Sequence, residues 1–361
     1  MSPFRRLLFF ALFLTFDLIM FGAFVRVTDA GLGCPDWPGC YGKATPFGAL
    51  DAIRAEAAAR PLGPVTEFKA WVEMLHRYVA AGLGLIVIAL AVMATRAARR
   101  GRAADVPPPG ATPGVPGAGP GVALAWFTLF WIVLQGAFGA WTVTLKLMPV
   151  VVTAHLMGGM ILFALLLAQA VRVAGHPPIA PEAARLRTWG AVALAMLFVQ
   201  IALGGWVSTN YATLACRDFP TCQGSLWPAM DAAGFEPWRP LGRTGDGEAL
   251  PFAALTAIHY AHRLFAYAVF AAVGTLAWRA RRVPGLERVG AGLLAVLALQ
   301  LATGLTNIFL DWPLAAAVLH TGGATALLGL LLVVSFRARA AALPPDPARA
   351  GPRASLARAG A

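Results

Sequence analysis

Of the six histidines in this 361-residue chain, four stand inside long apolar runs at places that match between the two halves: His76, His155, His262 and His320. An ionisable side chain in hydrocarbon is costly and is kept where it has chemistry or a partner. A single histidine could do no more than hydrogen-bond across a helix interface. Four that fall into two equivalent pairs point to ligation. His76 lies about seven residues into its apolar run and His155 about six into its own, so at 1.5 Å per residue both imidazoles sit roughly 10 Å below the same surface. Two imidazoles at one depth on neighbouring helices suit the two axial positions of a haem iron, and His262 with His320 repeats the arrangement. Zinc is the metal alternative, but two imidazoles with no cysteine or carboxylate nearby make a poor tetrahedral site.

Three groups accompany the histidines. Arg77 and Arg263 directly follow His76 and His262 and are placed to bind haem propionates or to reach the membrane surface. Glu73 stands three residues before His76, on the same helix face, where the other pair has His259. Only one half therefore carries an acid beside its ligand, which marks the first half as the reactive one. The pairs Gly158-Gly159 and Gly322-Gly323, just after His155 and His320, offer room for a flat macrocycle against the backbone, or ordinary helix packing.

The elements that must position these groups follow from hydropathy. Hydrophobic residues make up 58% of the chain and charged residues 13%, with a mean hydropathy of +0.68. Such a balance excludes an ordinary soluble domain. Apolar runs long enough to cross a bilayer lie at roughly 7–25, 70–95, 121–144, 149–171, 187–207, 253–278, 289–309 and 314–336. The expected fold is an all-α polytopic membrane protein of eight transmembrane helices. The first run follows Arg5 and Arg6 but continues past Asp17 without a small-residue cleavage site, and it reads as an anchor. With the N-terminus cytoplasmic, one side collects 18 of the 29 Lys and Arg residues against four acids. The positive-inside rule then puts both termini in the cytoplasm and the cysteine loops outside. The net charge of +12 is explained by these short loops and calls for no nucleic-acid partner.

An internal repeat organises the chain. GLGCPDWPGC, ending at Cys40, matches TLACRDFPTC, ending at Cys222, with a constant offset of 182. His76-Arg77 matches His262-Arg263, and Gln135, Gly139 and His155 match Gln300, Gly304 and His320 with an offset of 165. Because the unit has four spans, both copies enter the membrane in the same sense. Two parallel-repeat four-helix bundles with pseudo-two-fold symmetry are expected. The organisation read from this is an N-terminal half over 1–172, a cytoplasmic linker over 173–186, a C-terminal half over 187–336 and a disordered cytoplasmic tail over 337–361. A second flexible linker is expected over Gly101 to Gly121, which is rich in Pro and Gly. The four cysteines allow three pairings. The repeat and the short spacing favour Cys34 with Cys40 and Cys216 with Cys222, as structural staples or, for one pair, in a redox role.

Taken together, GLGCPDWPGC, Glu73 with His76-Arg77, His155 with its glycines, His262-Arg263 and His320 make the chain similar to the haem A synthase family, in its bacterial form with cysteine pairs in both outer loops. The resemblance covers about residues 7 to 336. It implies oxidation of the C8 methyl group of haem O to a formyl group, through successive hydroxylations, to give haem A for terminal oxidases. By the same resemblance His76 and His155 hold the substrate haem O, His262 and His320 hold a resident haem b, and Glu73 is the catalytic carboxylate. It further implies the bacterial inner membrane and haem O delivered by a haem O synthase, and leaves open the electron acceptor and any homo-oligomer. Three rival readings stand beside it: a di-haem electron-transfer cytochrome, a quinone-linked disulfide oxidoreductase, and a haem transporter.

Overall fold

The computed structural model describes residues 2–103, 121–174 and 179–342. Those residues form nine α-helices and no strands: α1 (Pro3–Val27), α2 (Leu50–Ala59), α3 (Glu67–Ala103), α4 (Val122–Thr144), α5 (Pro149–Ala174), α6 (Arg187–Thr209), α7 (Phe252–Ala280), α8 (Glu287–Phe309) and α9 (Leu314–Ala341). The helix starts follow local chemistry. Ser2 caps α1 through its hydroxyl with Pro3 behind it, Pro149 opens α5, and Pro251 and Pro313 precede α7 and α9. Proline is tolerated at these positions because its missing N–H has no helical partner there.

Seven of the helices are long and apolar enough to cross a membrane. The eighth long helix, α7, has 29 residues, and His259, His262 and Arg263 all fall on it. These are groups the sequence singled out for chemistry, and they dilute its hydropathy. Phe10, Phe13, Leu85, Phe130 and Val133 are among the large apolar side chains left exposed on the helix surfaces, as a chain solvated by lipid requires.

Packing follows the repeat. In the first half α1 packs on α3 and α5, α3 on α4, and α4 on α5; in the second, α6 packs on α7 and α9, α7 on α8, and α8 on α9. The halves meet through α1 with α9, α5 with α6, and α5 with α9. Residues that match across the repeat touch each other at this seam. The Thr325 hydroxyl lies 3.6 Å from Met160 Sδ, Arg26 Nη2 donates to Ser208 O at 2.6 Å, and the Tyr211 hydroxyl donates to Asp29 at 2.6 Å. Only residues beside a two-fold axis can meet their own counterparts. Met160 and Thr325 lie within the helices, whereas Arg26 to Asp29 and Ser208 to Tyr211 lie at the ends of α1 and α6, so the axis runs along the helices.

The turns keep the repeat as well. Among the described residues the eight non-glycine positions with positive φ pair off as Asp29 with Tyr211, Tyr41 with Gln223, Lys146 with Asp311, and Leu147 with Trp312. Left-handed backbone is disfavoured for residues with a Cβ, so its recurrence at matched positions reflects inherited turn geometry.

Three expected boundaries differ. Pro181–Leu186 is a 3₁₀ turn with Ala183 and Leu186 buried in the main core, because the apolar side chains of this connection can dock on α9. It is not a free tether. Helix α9 continues to Ala341, past the expected tail start at 337, and α3 continues to Ala103, because their Ala- and Arg-rich ends are good helix formers. The rest of the tail (343–361) and of the Pro/Gly-rich segment (104–120) lies outside the described residues.

Candidate haem sites

The four histidines stand on α3, α5, α7 and α9, the repeat-matched helices, and each imidazole lies against a glycine of a neighbouring helix. A Cβ on Gly22 would come within 3.3 Å of His76, on Gly139 within 3.2 Å of His155, on Gly204 within 3.0 Å of His262, and on Gly304 within 3.5 Å of His320. The four glycines are themselves repeat partners. Gly139 and Gly304 were visible as matched positions; Gly22 and Gly204 carried no signal beyond lying on α1 and α6 at the common offset.

Of the two uses open to the glycines that follow the second ligand, close packing is the one seen at Gly158 and Gly323. A Cβ on Gly158 would fall 2.1 Å from Gln135 Oε1, and one on Gly323 would fall 2.1 Å from Gln300 Nε2. The space belongs to a glutamine, not to a macrocycle. Each glutamine reaches through it to donate to the backbone carbonyl of the ligand, Gln135 to His155 O at 2.7 Å and Gln300 to His320 O at 2.9 Å. The amide braces the ligand-bearing turn of the helix, where a net hydrogen bond is worth about 1 kcal/mol.

Glu73 finds its hydrogen-bond partners in the first cysteine loop and on its own helix. It is 4% exposed and rises into the first cysteine loop, where Oε2 accepts the Cys34 N–H at 2.8 Å and Oε1 accepts Arg77 Nη2 at 2.5 Å. The i,i+4 pair with Arg77 and the loop amide supply the donors that a buried carboxylate needs. Arg77 ties down the same loop, donating to Asp36 O at 2.9 Å and Gly39 O at 2.7 Å. Cys34 and Cys40 are joined in a disulfide with a Cα–Cα distance of 4.9 Å. Both are fully buried beneath α2, which plugs the loop with Ile53.

The second loop repeats the plan without the acid. Arg263 Nη1 donates to Asp218 O at 2.8 Å and Thr221 O at 2.6 Å, the matched carbonyls, and Nη2 reaches Cys216 O at 3.2 Å. His259 replaces Glu73, with Nδ1 3.0 Å from Ala212 O and Nε2 3.4 Å from Arg263. Both arginines therefore serve the loops first; Arg263 Nε is buried without a partner and is the donor left over. Cys216 and Cys222 are also disulfide-bonded.

Loop two has a measurable acid limit. The Asp218 carboxylate takes the Thr221 hydroxyl at 2.5 Å and the amides of Gln223 and Gly224 at 2.8 and 2.9 Å. These donors, the Thr221 hydroxyl foremost, pull its pKa down to about 2. A carboxylate with a depressed folded-state pKa contributes full stability above its ordinary pKa and loses it as pH falls through the folded value. Pepsin should therefore leave the 216–225 loop intact at pH 4 and cut it near pH 2. Asp218→Asn should be cut equally at both; protection of that variant at pH 4 would refute the assignment.

Among the described residues no three His, Cys, Asp or Glu side chains converge on one point. The donor set is two imidazoles per half, each packed against a glycine of a neighbouring helix, with His155 Nδ1 buried and unpartnered. That set fits a planar iron macrocycle with its own four equatorial ligands and does not fit a tetrahedral ion.

Comparison with known proteins agrees in extent. The family model described as "Cytochrome oxidase assembly protein", COX15-CtaA, matches residues 5–332. A protein of Shewanella oneidensis named Heme A synthase is 36% identical over 334 residues, covering 91% of this chain and 95% of the relative. One of the same name from Symbiobacterium thermophilum is 31% identical, covering 88% and 90%.

Proposed function

Since the chain belongs to the COX15-CtaA family of cytochrome oxidase assembly proteins, we propose that it makes haem A for terminal oxidases by oxidising the C8 methyl group of haem O to a formyl group. It is an enzyme of haem A biosynthesis and an oxidoreductase. The conversion proceeds by successive hydroxylations at one carbon and loss of water; each hydroxylation joins a water oxygen to that carbon and releases two protons and an electron pair that an external acceptor must take up. In this reading His76 and His155 hold haem O, and His262 and His320 hold haem b, whose iron supplies one-electron chemistry when bound. The single observation that carries the division is the broken repeat: Glu73 in one half, His259 in the other.

The residues of this chain would act as follows. Glu73, with each oxygen already accepting a hydrogen bond, suits a fixed negative charge near the substrate edge better than a mobile base. In a low-dielectric site such a charge favours the positive charge that develops as the methyl carbon is oxidised. Arg263 Nε is free for a propionate. The disulfide of loop one lies one hydrogen bond from Glu73, through the Cys34 amide, which supports a redox role for that pair in this reading. The arginine-rich helix ends support eight spans in a bacterial inner membrane, with both termini cytoplasmic and the cysteine loops outside. Delivery of haem O by a haem O synthase and assembly into homo-oligomers belong to the same reading.

The deciding experiment supplies haem O to cells with and without this chain and separates the extracted pigments. Haem A should appear only with the chain. Haem O retained unchanged by a haem-loaded protein would instead favour a transporter or an electron-transfer cytochrome.

A further inference from the structure

The two halves differ in what touches the ligand rings. His320 Nδ1 lies 2.9 Å from the Thr303 hydroxyl, and that hydroxyl lies 2.8 Å from Leu299 O, one turn back in α8. With its own proton given to Leu299, the hydroxyl accepts Nδ1–H from the ring. The imidazole is thereby held in the tautomer that leaves Nε2 free to ligate. The repeat partner of Thr303 is Phe138, and His155 Nδ1 is buried with no partner. The first ligands differ in polarity alone: Gln200 Nε2, a donor, lies 3.1 Å from both His262 Nδ1 and His262 O and offers the ring no acceptor, whereas its counterpart on α1 is Leu18, and His76 packs edge-on to Phe21. Both second-half rings meet polar side chains where the first half has apolar ones.

We propose that Thr303 is the positioning residue that makes His320 a permanent haem ligand, and that Phe138 leaves His155 unfixed so that the first site takes up and releases its haem. The proposal rests on the reading that each histidine pair binds a haem, and it explains what that reading requires of two similar sites. A resident cofactor must stay, while a substrate must enter and its product leave. An acceptor on Nδ1–H orients the ring and raises its basicity toward iron, and loss of such a contact lowers metal affinity about 10- to 100-fold.

The test follows haem transfer from purified holoprotein to excess apomyoglobin. A His155→Ala background leaves the second site alone, and His320→Ala leaves the first. In the former, Thr303→Val should speed haem loss about 10- to 100-fold and move the midpoint potential positive, because a less basic imidazole stabilises the ferric iron less. Thr303→Ser, which keeps the hydroxyl, should restore both. In the latter, Phe138→Thr should slow haem loss. Unchanged rates and potential in Thr303→Val, with haem present, overturn the proposal while leaving the haem reading intact. Absence of haem from both parent backgrounds overturns the haem reading itself.

Discussion

Glu73→Gln is expected to leave both haems bound and to lower conversion of haem O by about 10²- to 10³-fold, the usual cost of removing one preorganised electrostatic group from a reaction centre. The substitution keeps volume and removes charge. Arg77 retains its bonds to Asp36 O and Gly39 O, and the Cys34–Cys40 disulfide still closes the loop, so the scaffold should hold. The amide cannot accept from both the Cys34 N–H and Arg77 as the carboxylate does, since one end of it is a donor. Two measurements separate the roles: the haem absorption spectrum reports binding, and pigment extraction after incubation with haem O reports conversion. An unaltered spectrum with full haem A yield would remove Glu73 from the reaction and leave it a clamp for the cysteine loop.

The second large effect concerns which haem each histidine pair holds. In cells supplied with haem O, wild-type protein should carry haem b together with haem O or its oxidation products. His155→Ala should retain haem b alone and make no haem A. His320→Ala should lose haem b and keep only the substrate-type pigment. The helix turn that carries each ligand is braced separately, at His155 O by Gln135 and at His320 O by Gln300, so removal of one ligand should leave the other half folded. Loss of the same pigment from both variants would contradict two independent sites, and haem b lost from His155→Ala alone would reverse the assignment of the halves.

Much of this arrangement is legible in one dimension. The four histidines, the cysteine spacing and the repeat offsets are differences between residue numbers, and hydropathy places them in helices because lipid leaves few alternatives for a spanning backbone. The one helix that falls short on hydropathy, α7, does so where His259, His262 and Arg263 sit, which is itself a sign of function. Partners from distant segments are not legible in this way. Glu73 shares a helix face with His76, but its carboxylate is 39 residues in sequence from the amide that captures it. Gly158 and Gly323 admit a macrocycle or helix packing on sequence alone, and the packing they show is by glutamines 20 residues away from the carbonyls they bind.

By itself the sequence determines that this is a duplicated, helical membrane protein with two histidine pairs and a single acid that breaks their symmetry. Periodicity, offset and residue type suffice for that, and no contact need be known. Which glycine faces each ring, where Glu73 and the arginines spend their hydrogen bonds, and that Thr303 reaches His320 while Phe138 leaves His155 Nδ1 bare were decided by tertiary structure. The reason is that a buried polar group takes the partner that a neighbouring helix or loop brings to it, and that neighbour is chosen by packing between segments distant in the chain.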